Sequence, residues 1–227
     1  MKRILIFASF FICTFNSKAQ QKLTKEEILS SWNYPEKSLK SRDLVSFSFS
    51  TDVSNRTRYI IDSLEHQKID SVLIYSKHYP GSFLINKPCF TISHSEYTYI
   101  FWKSNDSIKL KALAGNCEKD TFFLGSIDII TYLGVQKSKI SSECVMPVIF
   151  EAYREKNNIV KYSMSTIDHE PNYSIIFKID KMYKIVSFAE SYLENKKSIF
   201  WDYNLNLKSI ELWNMLQKLT NPFSGGW

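Results

Sequence analysis

Hydrophobic and polar residues alternate with a period of two along much of this chain, as in β-strands that face water on one side. The clearest series occupies residues 147–203. It contains five strand-like runs separated by short polar segments: Val148–Arg154, Ile159–Ile167, Tyr173–Ile179, Tyr183–Tyr192 and Ile199–Tyr203. Consecutive strands joined by short turns pair antiparallel, because parallel pairing needs a long crossover. We therefore predict a four- or five-stranded meander over residues 147–203.

An earlier part of the chain carries a second series of strand-like runs. They are Val45–Phe49, Arg58–Asp62, Ser71–Tyr75, Ser82–Ile85, Phe90–Ser93, Tyr97–Trp102 and Ile108–Leu113. The polar segment Lys103–Ser107 between the last two runs predicts a hairpin. Together the patterns predict one domain over residues 20–227, with two possible β-rich halves at 44–118 and 145–203.

A short helix is predicted near the start of this domain. Thr24 and Glu27 have the spacing of a capping box, in which each side chain bonds the other's backbone N–H. Leu23 and Ile28 stand at the two positions of a hydrophobic staple. Pro35 then ends the element.

A second helix is predicted between Asp120, as a cap, and Gly134, as a C-terminal stop. Apolar residues recur there at spacings of three and four. Gly125 weakens the helix, and the β-branched residues after it favour an alternative with two short strands around Gly125–Ser126.

The third predicted helix is amphipathic and spans Leu207–Leu219, with Asn221 and Pro222 ending it. A sheet with one apolar face needs a cover, and this helix is the natural one. The predicted fold class is thus α+β: antiparallel meander sheets covered by a C-terminal helix, with a short N-terminal helix.

The first nineteen residues have the three-part layout of a secretory signal peptide. Lys2 and Arg3 precede the uncharged, mostly apolar run Ile4–Phe15, and small residues follow at Ser17 and Ala19. The run is too short to span a bilayer as a helix. Its ending, Lys18-Ala19-Gln20-Gln21, resembles that of exported proteins of Gram-negative bacteria, particularly Bacteroidota. We therefore expect export to the periplasm, the cell surface or the medium, with no integral membrane segment after cleavage.

Two alternatives for this segment remain open at the sequence level. The first alternative is a buried first strand or helix of a cytosolic protein. The second is a lipoprotein signal that uses Cys13. Phe10, Phe11 and Ile12 before that cysteine lack the small residues of a lipobox.

Removing residues 1–19 removes three cationic residues and no acidic ones, which lowers the formal charge from +6 to +3. No cluster of five or more Lys and Arg residues occurs. This charge is typical of a soluble protein and does not indicate a nucleic-acid partner.

Three cysteines follow the predicted signal: Cys89, Cys117 and Cys144. In an oxidising compartment one pair forms a disulfide and one thiol is left over, but the spacing does not choose the pair. Three free thiols are the alternative. No C-x-x-C pair is present, so we expect no zinc ribbon, and nothing in the sequence indicates another metal or a cofactor.

The common nucleotide-binding, zinc-protease and α/β-hydrolase motifs are missing from the sequence. Two clusters remain as catalytic candidates. His94 and Glu96 would share one face of a strand, so the carboxylate would orient the imidazole. Asp168, His169 and Glu170 form a denser set in a turn.

Aromatic residues are abundant: 16 Phe, 13 Tyr and 5 Trp. Most stand at alternating positions that suit core packing. The weak candidates for an exposed binding platform lie at strand ends: Trp102, Tyr192, Trp201 and Tyr203.

The leading hypothesis from the sequence is an exported binding or accessory protein without a cofactor. Its partner would be a small ligand, a glycan or an envelope protein, held on an aromatic sheet face or in a groove between the meander and the C-terminal helix. The alternatives are an exported hydrolase that uses one of the two His–carboxylate sets, and a structural or assembly component of the cell envelope.

Overall fold

The computed structural model describes residues 21–32, 38–39, 51–80, 89, 94–124, 129–155, 158–179 and 182–224. The predicted signal peptide and three predicted strands lie outside these ranges. Those strands are Val45–Phe49, Ser82–Ile85 and Phe90–Ser93.

The described chain is a mixed α+β fold with antiparallel sheets, which confirms the predicted fold class. The helices are α1 (Lys25–Ser31), α2 (Thr51–His66), α3 (Ile129–Ser142), α4 (Ser191–Glu194), α5 (Trp201–Leu205) and α6 (Lys208–Ser224). The strands are β1 (Gln21–Lys22), β2 (Ser38–Leu39), β3 (Val72–Pro80), β4 (His94–Ser104), β5 (Ser107–Ala114), β6 (Cys117–Glu118), β7 (Phe122–Phe123), β8 (Ile149–Arg154), β9 (Val160–Met164), β10 (Asn172–Ile179) and β11 (Met182–Ala189).

A large antiparallel sheet forms the centre of the molecule. Its strand order is β2–β11–β10–β3–β4–β5–β6, and β7 also pairs with β5. The pairing of β10 with β3 joins strands from the two predicted β-rich stretches into one sheet. The predicted hairpin between β4 and β5 is present, with Asn105 in a left-handed conformation at its turn.

One side of this sheet, the closed face, is covered by α3 and α6. Strand residues on this face include Tyr99, Phe101 and Phe177, and all three are fully buried. The helices contribute buried side chains such as Leu133 and Leu216 to the same core. The C-terminal helix is therefore the cover that the sequence predicted.

On the other side, the open face, α2 is the helix that covers the sheet within the described residues. Its core combines Ile61 and Leu64 of the helix with Ile74, Ile100 and Trp102 of the sheet. Side chains alternate between the two faces along each central strand, so both helical layers follow from one period-two pattern.

The predicted meander over 147–203 is wrong in its pairing. Its first two strands, β8 and β9, join β1 in a separate three-stranded sheet, whereas β10 and β11 belong to the large sheet. The segment 165–171 carries the chain from one sheet to the other. Alternating residues identify strands and hairpins, but they do not indicate which other strand pairs with the outer strand of each hairpin.

The fifth predicted strand, Ile199–Tyr203, is also wrong, because α5 begins at Trp201. Its apolar residues pack in the core of the small sheet. Phe200 is fully buried with Ile28, Met146 and Ile149 beneath the small sheet. The Asn204 side chain binds the backbone of Met146 and fixes this turn.

The strand predicted at Arg58–Asp62 is likewise wrong, since these residues lie in the middle of α2. The local run Tyr59–Ile61 is rich in strand formers, but Val53, Ile61 and Leu64 recur at helical spacing over a longer window. Burial of that stripe on the sheet outweighs local strand propensity.

The helix predicted from Asp120 to Gly134 is displaced along the chain. Phe122 and Phe123 form β7, and α3 starts at Ile129 and continues through Gly134 to Ser142. Gly134 is therefore not a stop, and the alternative of strands after Gly125 is wrong for residues 129–132. The buried residues Ile129, Leu133 and Ile140 anchor the helix against α6 and the sheet.

The two terminal helices differ in how well their ends were predicted. The α1 capping box is present: Glu27 N–H donates to Thr24 Oγ1 at 3.2 Å, and Thr24 N–H donates to Glu27 Oε2 at 2.8 Å. The α6 helix passes the predicted stop at Pro222. Phe223 packs on Phe122 with ring centroids 4.8 Å apart, and this contact holds the last turn in place.

None of the helices in the described ranges combines the length and the apolar character needed to cross a bilayer.

Candidate ligand-binding groove

On the open face, α2 does not reach over the end of the large sheet that contains β5, β6 and β7. Along β5, Leu110 and Ala112 point into the closed-face core and are fully buried. The alternate positions carry Lys109 and Lys111, which are half-buried on the open face. Because α2 does not extend over these lysines, a groove remains between the helix and the sheet edge.

The helix wall of the groove is polar and aromatic. Asn55, Tyr59, Ser63 and Gln67 follow one another at intervals of four residues, so they lie along one side of α2 and its final turn. Tyr59 is 77% exposed, which is unusual for a large aromatic side chain. The apolar stripe of the same helix faces the sheet, so this second stripe is free to face a ligand.

The sheet wall is a row of three residues across adjacent strands. Trp102 of β4 stands opposite Lys109 of β5, which stands opposite Phe123 of β7. Such neighbours have Cβ atoms about 5 Å apart. Trp102 is 8% exposed and forms the floor, whereas Phe123 is 70% exposed at the rim. The groove between the walls has a volume of about 610 Å³.

The charges in the groove are mainly positive and are unequally satisfied. Lys111 forms an ion pair with Glu118. Arg56 donates to the backbone carbonyls of Gly115 and Cys117, the latter at 3.0 Å from Nη1. Lys109 Nζ lies 5.3 Å from the centre of the Phe123 ring, and within the described residues it has no carboxylate partner. Within the described residues, Lys109 is therefore a groove cation whose ammonium no carboxylate neutralises.

A disulfide between Cys89 and Cys117 fixes one end of the groove. Asn116 N–H donates to the Cys89 carbonyl at 2.8 Å, and Arg56 of α2 reaches the carbonyl of Cys117. These contacts connect β6 to the helix. Cys144 is free and half-buried, and burial raises the pKa of its thiol to about 11, so it stays protonated near neutral pH.

The four aromatic candidates from the sequence divide between two places. Trp102 lies in the groove. Tyr192, Trp201 and Tyr203 are half-buried around α4 and α5, where the indole N–H of Trp201 donates to the Leu193 carbonyl at 2.8 Å. Tyr192 and Tyr203 both pack against the closed-face core, so this second group is mainly packing.

The groove predicted between the meander and the C-terminal helix falls on an interface that is packed where the structure describes it. Trp213 of α6 contacts Tyr173 and Phe188, with ring centroids 5.2 and 5.7 Å apart. Leu212 and Leu216 are fully buried beside them. The groove lies instead on the opposite face of the sheet.

His94 and Glu96 both belong to β4. Glu96 is buried, and its direct cross-strand neighbour is His78 of β3, which is buried as well. His94 stands opposite Pro80 at the end of the pair. Sequence reasoning missed His78 because cross-strand register is not visible in one strand.

Asp168, His169 and Glu170 occupy the turn before β10. Asp168 and His169 are exposed. Glu170 has a structural role, since its Oε2 accepts a hydrogen bond from the Ser191 backbone N–H at 2.8 Å. Within the described residues, no group of three His, Cys, Asp or Glu side chains is arranged to hold a metal ion.

Sequence reasoning also missed the groove residues Tyr59, Lys109 and Phe123. One signal was available: in β5 the sequence Ile-Lys-Leu-Lys-Ala places every cation on one face, which marks a part of that face without a cover. The misassignment of α2 as a strand hid the helix wall. Comparison of the chain with protein-family models, curated proteins and solved structures found no match.

Proposed function

We propose that this chain is an exported binding or accessory protein and that the groove between α2 and β5–β7 holds its ligand. The observation that carries the proposal is the pair of exposed rings, Tyr59 and Phe123, that flank a floor made by Trp102. Large aromatic side chains left exposed around a concavity are typical of binding sites. The groove volume of about 610 Å³ falls within the range of roughly 300–1,000 Å³ for small-ligand sites.

Export is supported by the layout of residues 1–19 and by the Cys89–Cys117 disulfide. Disulfides persist mainly in oxidising compartments such as the periplasm and the extracellular space. N-terminal sequencing of the protein from its native cell tests this part. We expect a start near Gln20, and recovery from the cytosol with Met1 retained would contradict export.

The groove itself is tested by fragment screening of the ¹⁵N-labelled protein. We expect ring-containing fragments to shift backbone resonances of α2, β5 and β7 together. Tyr59→Ala should remove these shifts, whereas Leu205→Ala, at another exposed apolar side chain, should not. Fragments that bind elsewhere, or that bind the Tyr59→Ala variant equally well, would contradict the proposal.

A further inference from the structure

The ligand class can be inferred from three kinds of group that converge in the groove. The first is aromatic: Tyr59 and Phe123 offer ring faces at the rim, above the buried ring of Trp102. Ring faces bind flat apolar surfaces, including the C–H faces of sugar rings. Since the two rim rings are largely exposed before any ligand binds, little rearrangement is needed to use them.

The second kind is neutral and polar. Asn55, Ser63 and Gln67 line the helix wall at regular intervals, and all three are exposed. The Gln67 amide already donates to Ser63 Oγ at 3.3 Å, so its carbonyl oxygen remains a strong acceptor. A ladder of amides and hydroxyls offers both donors and acceptors, and a ligand rich in hydroxyl groups satisfies it.

The third kind is positive charge. Lys111 is paired with Glu118, and the Arg56 guanidinium keeps its charge while it donates to backbone carbonyls. Lys109 is the ammonium left to contact a ligand, and it stands against the Phe123 ring. An ammonium in this position offers a charge-assisted hydrogen bond to an anionic group such as a carboxylate.

We propose that the groove binds an acidic glycan, with sugar rings on Tyr59 and Phe123 and a uronate carboxylate on Lys109. This inference rests on the proposed binding function and adds the chemical class of the ligand. Sugar rings match the aromatic faces, ring hydroxyls match the amide ladder, and the uronate supplies one carboxylate per residue.

The test uses trisaccharides of galacturonate, glucuronate, mannuronate and guluronate, together with their methyl esters. The esters keep the rings and remove the charge. Binding is measured by isothermal calorimetry and by ¹⁵N shifts of groove residues. We expect at least one acid to bind in the groove about tenfold or more tightly than its ester, because charge-assisted hydrogen bonds are worth that much. Added salt should weaken binding of the acid.

Lys109→Gln is the decisive variant, and Lys103→Gln is its matched control. Lys103 is exposed on β4 outside the groove, so both changes remove one positive charge from the same hairpin. We expect Lys109→Gln to abolish the preference for the acid over the ester and Lys103→Gln to retain it. Thermal melts of both variants should match the parent, which separates lost recognition from lost folding.

The opposing outcomes are distinct. Equal binding of acid and ester, or an unchanged preference in Lys109→Gln, would overturn the role of charge. A triglutamate peptide that binds more tightly than every uronide would overturn the glycan assignment in favour of an acidic peptide. If fragments shift the groove resonances and no uronide does, the glycan class fails while the binding function stands. If nothing shifts them, both fail.

Discussion

The two faces of the large sheet are covered to different extents. The closed face lies under two long helices, α3 and α6, and its ring contacts are internal, as between Trp213 and Tyr173. Among the parts of the chain that the structure describes, the open face is covered by α2, and its outer rings, Tyr59 and Phe123, are 77% and 70% exposed. The same residue type thus provides stability on one face and a surface for recognition on the other.

This difference shows why aromatic content alone does not locate a site. A ring between a sheet and a covering helix gains its energy from burial and is unavailable to a ligand. A ring that lies where the covering helix ends is held in place by its own strand or helix but remains exposed. The place to search for a site is therefore where the helical layer on the sheet ends, and on the open face this is beside β5.

The largest expected effect is on folding, from a ring of the closed face. Phe101→Ala removes a fully buried side chain and leaves a cavity, which costs about 3–5 kcal/mol of unfolding free energy. Phe123→Ala, on the open face, should change stability by less than about 0.5 kcal/mol. Urea denaturation of both variants measures this contrast, and equal losses would contradict the difference between the faces.

The next effect comes from the disulfide at the end of the groove. The double variant Cys89→Ser/Cys117→Ser opens a crosslink with a sequence separation of 28 residues. The chain-entropy model gives a loss of about 3.5 kcal/mol. We also expect weaker fragment binding, because β6 and Arg56 meet at this end. Cys144→Ala, at the free cysteine, is the control and should leave fragment binding unchanged.

A smaller effect concerns a lysine buried in the closed face. Lys77 is 3% exposed, and its Nζ lies 5.5 and 5.8 Å from the ring centres of Tyr75 and Tyr99. Burial lowers the pKa of Lys77 from 10.5 to about 8. The charged form is therefore disfavoured by folding, and at pH 7 the cost is on the order of 2–3 kcal/mol.

The pH dependence of this cost has a definite sign. Between pH 8 and about 10.5 the unfolded chain holds this proton more tightly than the folded chain, so Lys77 makes stability rise with pH. Below pH 8 the cost is present in full, and above about 10.5 it is gone. The pKa of Tyr75 is raised by burial, so Tyr75 stays neutral over this window.

Lys77→Met should therefore stabilise the protein at pH 7 and remove the Lys77 contribution to the rise of stability between pH 8 and 10.5. The exposed Lys137→Met is the control and should leave the slope unchanged. Urea midpoints from pH 6.5 to 10.5 give the comparison. A destabilised Lys77→Met at pH 7 would show that the aromatic contacts outweigh the desolvation of the charge.

The smallest effect on stability is expected at the helix wall of the groove. Tyr59→Ala removes a largely exposed ring and should change the unfolding free energy by less than about 0.5 kcal/mol. Tyr59→Ala should nevertheless weaken fragment binding more than the Phe101, disulfide and Lys77 variants do. A large loss of stability in this variant would indicate that Tyr59 is a packing residue.

The sequence predicted the fold class and many local features of the protein. The Thr24–Glu27 capping box, the β4–β5 hairpin and the covering helix α6 all have short-range signatures, and the structure contains them. Pairing between distant segments was not predictable in this way. The choice of β3 as the neighbour of β10 depends on which apolar faces meet in space.

The candidate site was predictable only in part for the same reason. Trp102 was identified as a candidate, but its partners come from α2 and β7, which are 36–51 and 20–21 residues away along the chain. The run Tyr59–Ile61 indicated a strand when considered alone. Only the burial of the longer helical stripe against the sheet turns Tyr59 toward the groove.

The central claim is that the uncovered edge of the open face is the ligand site. Labelling with 5-fluorotryptophan tests it most directly, since ¹⁹F spectra resolve single tryptophans and Trp102→Phe assigns the groove signal. We expect bound fragments or uronides to shift the Trp102 resonance and to leave the Trp213 resonance, under α6, unchanged. Ligands that shift Trp213 or Trp201 and leave Trp102 in place would contradict the account.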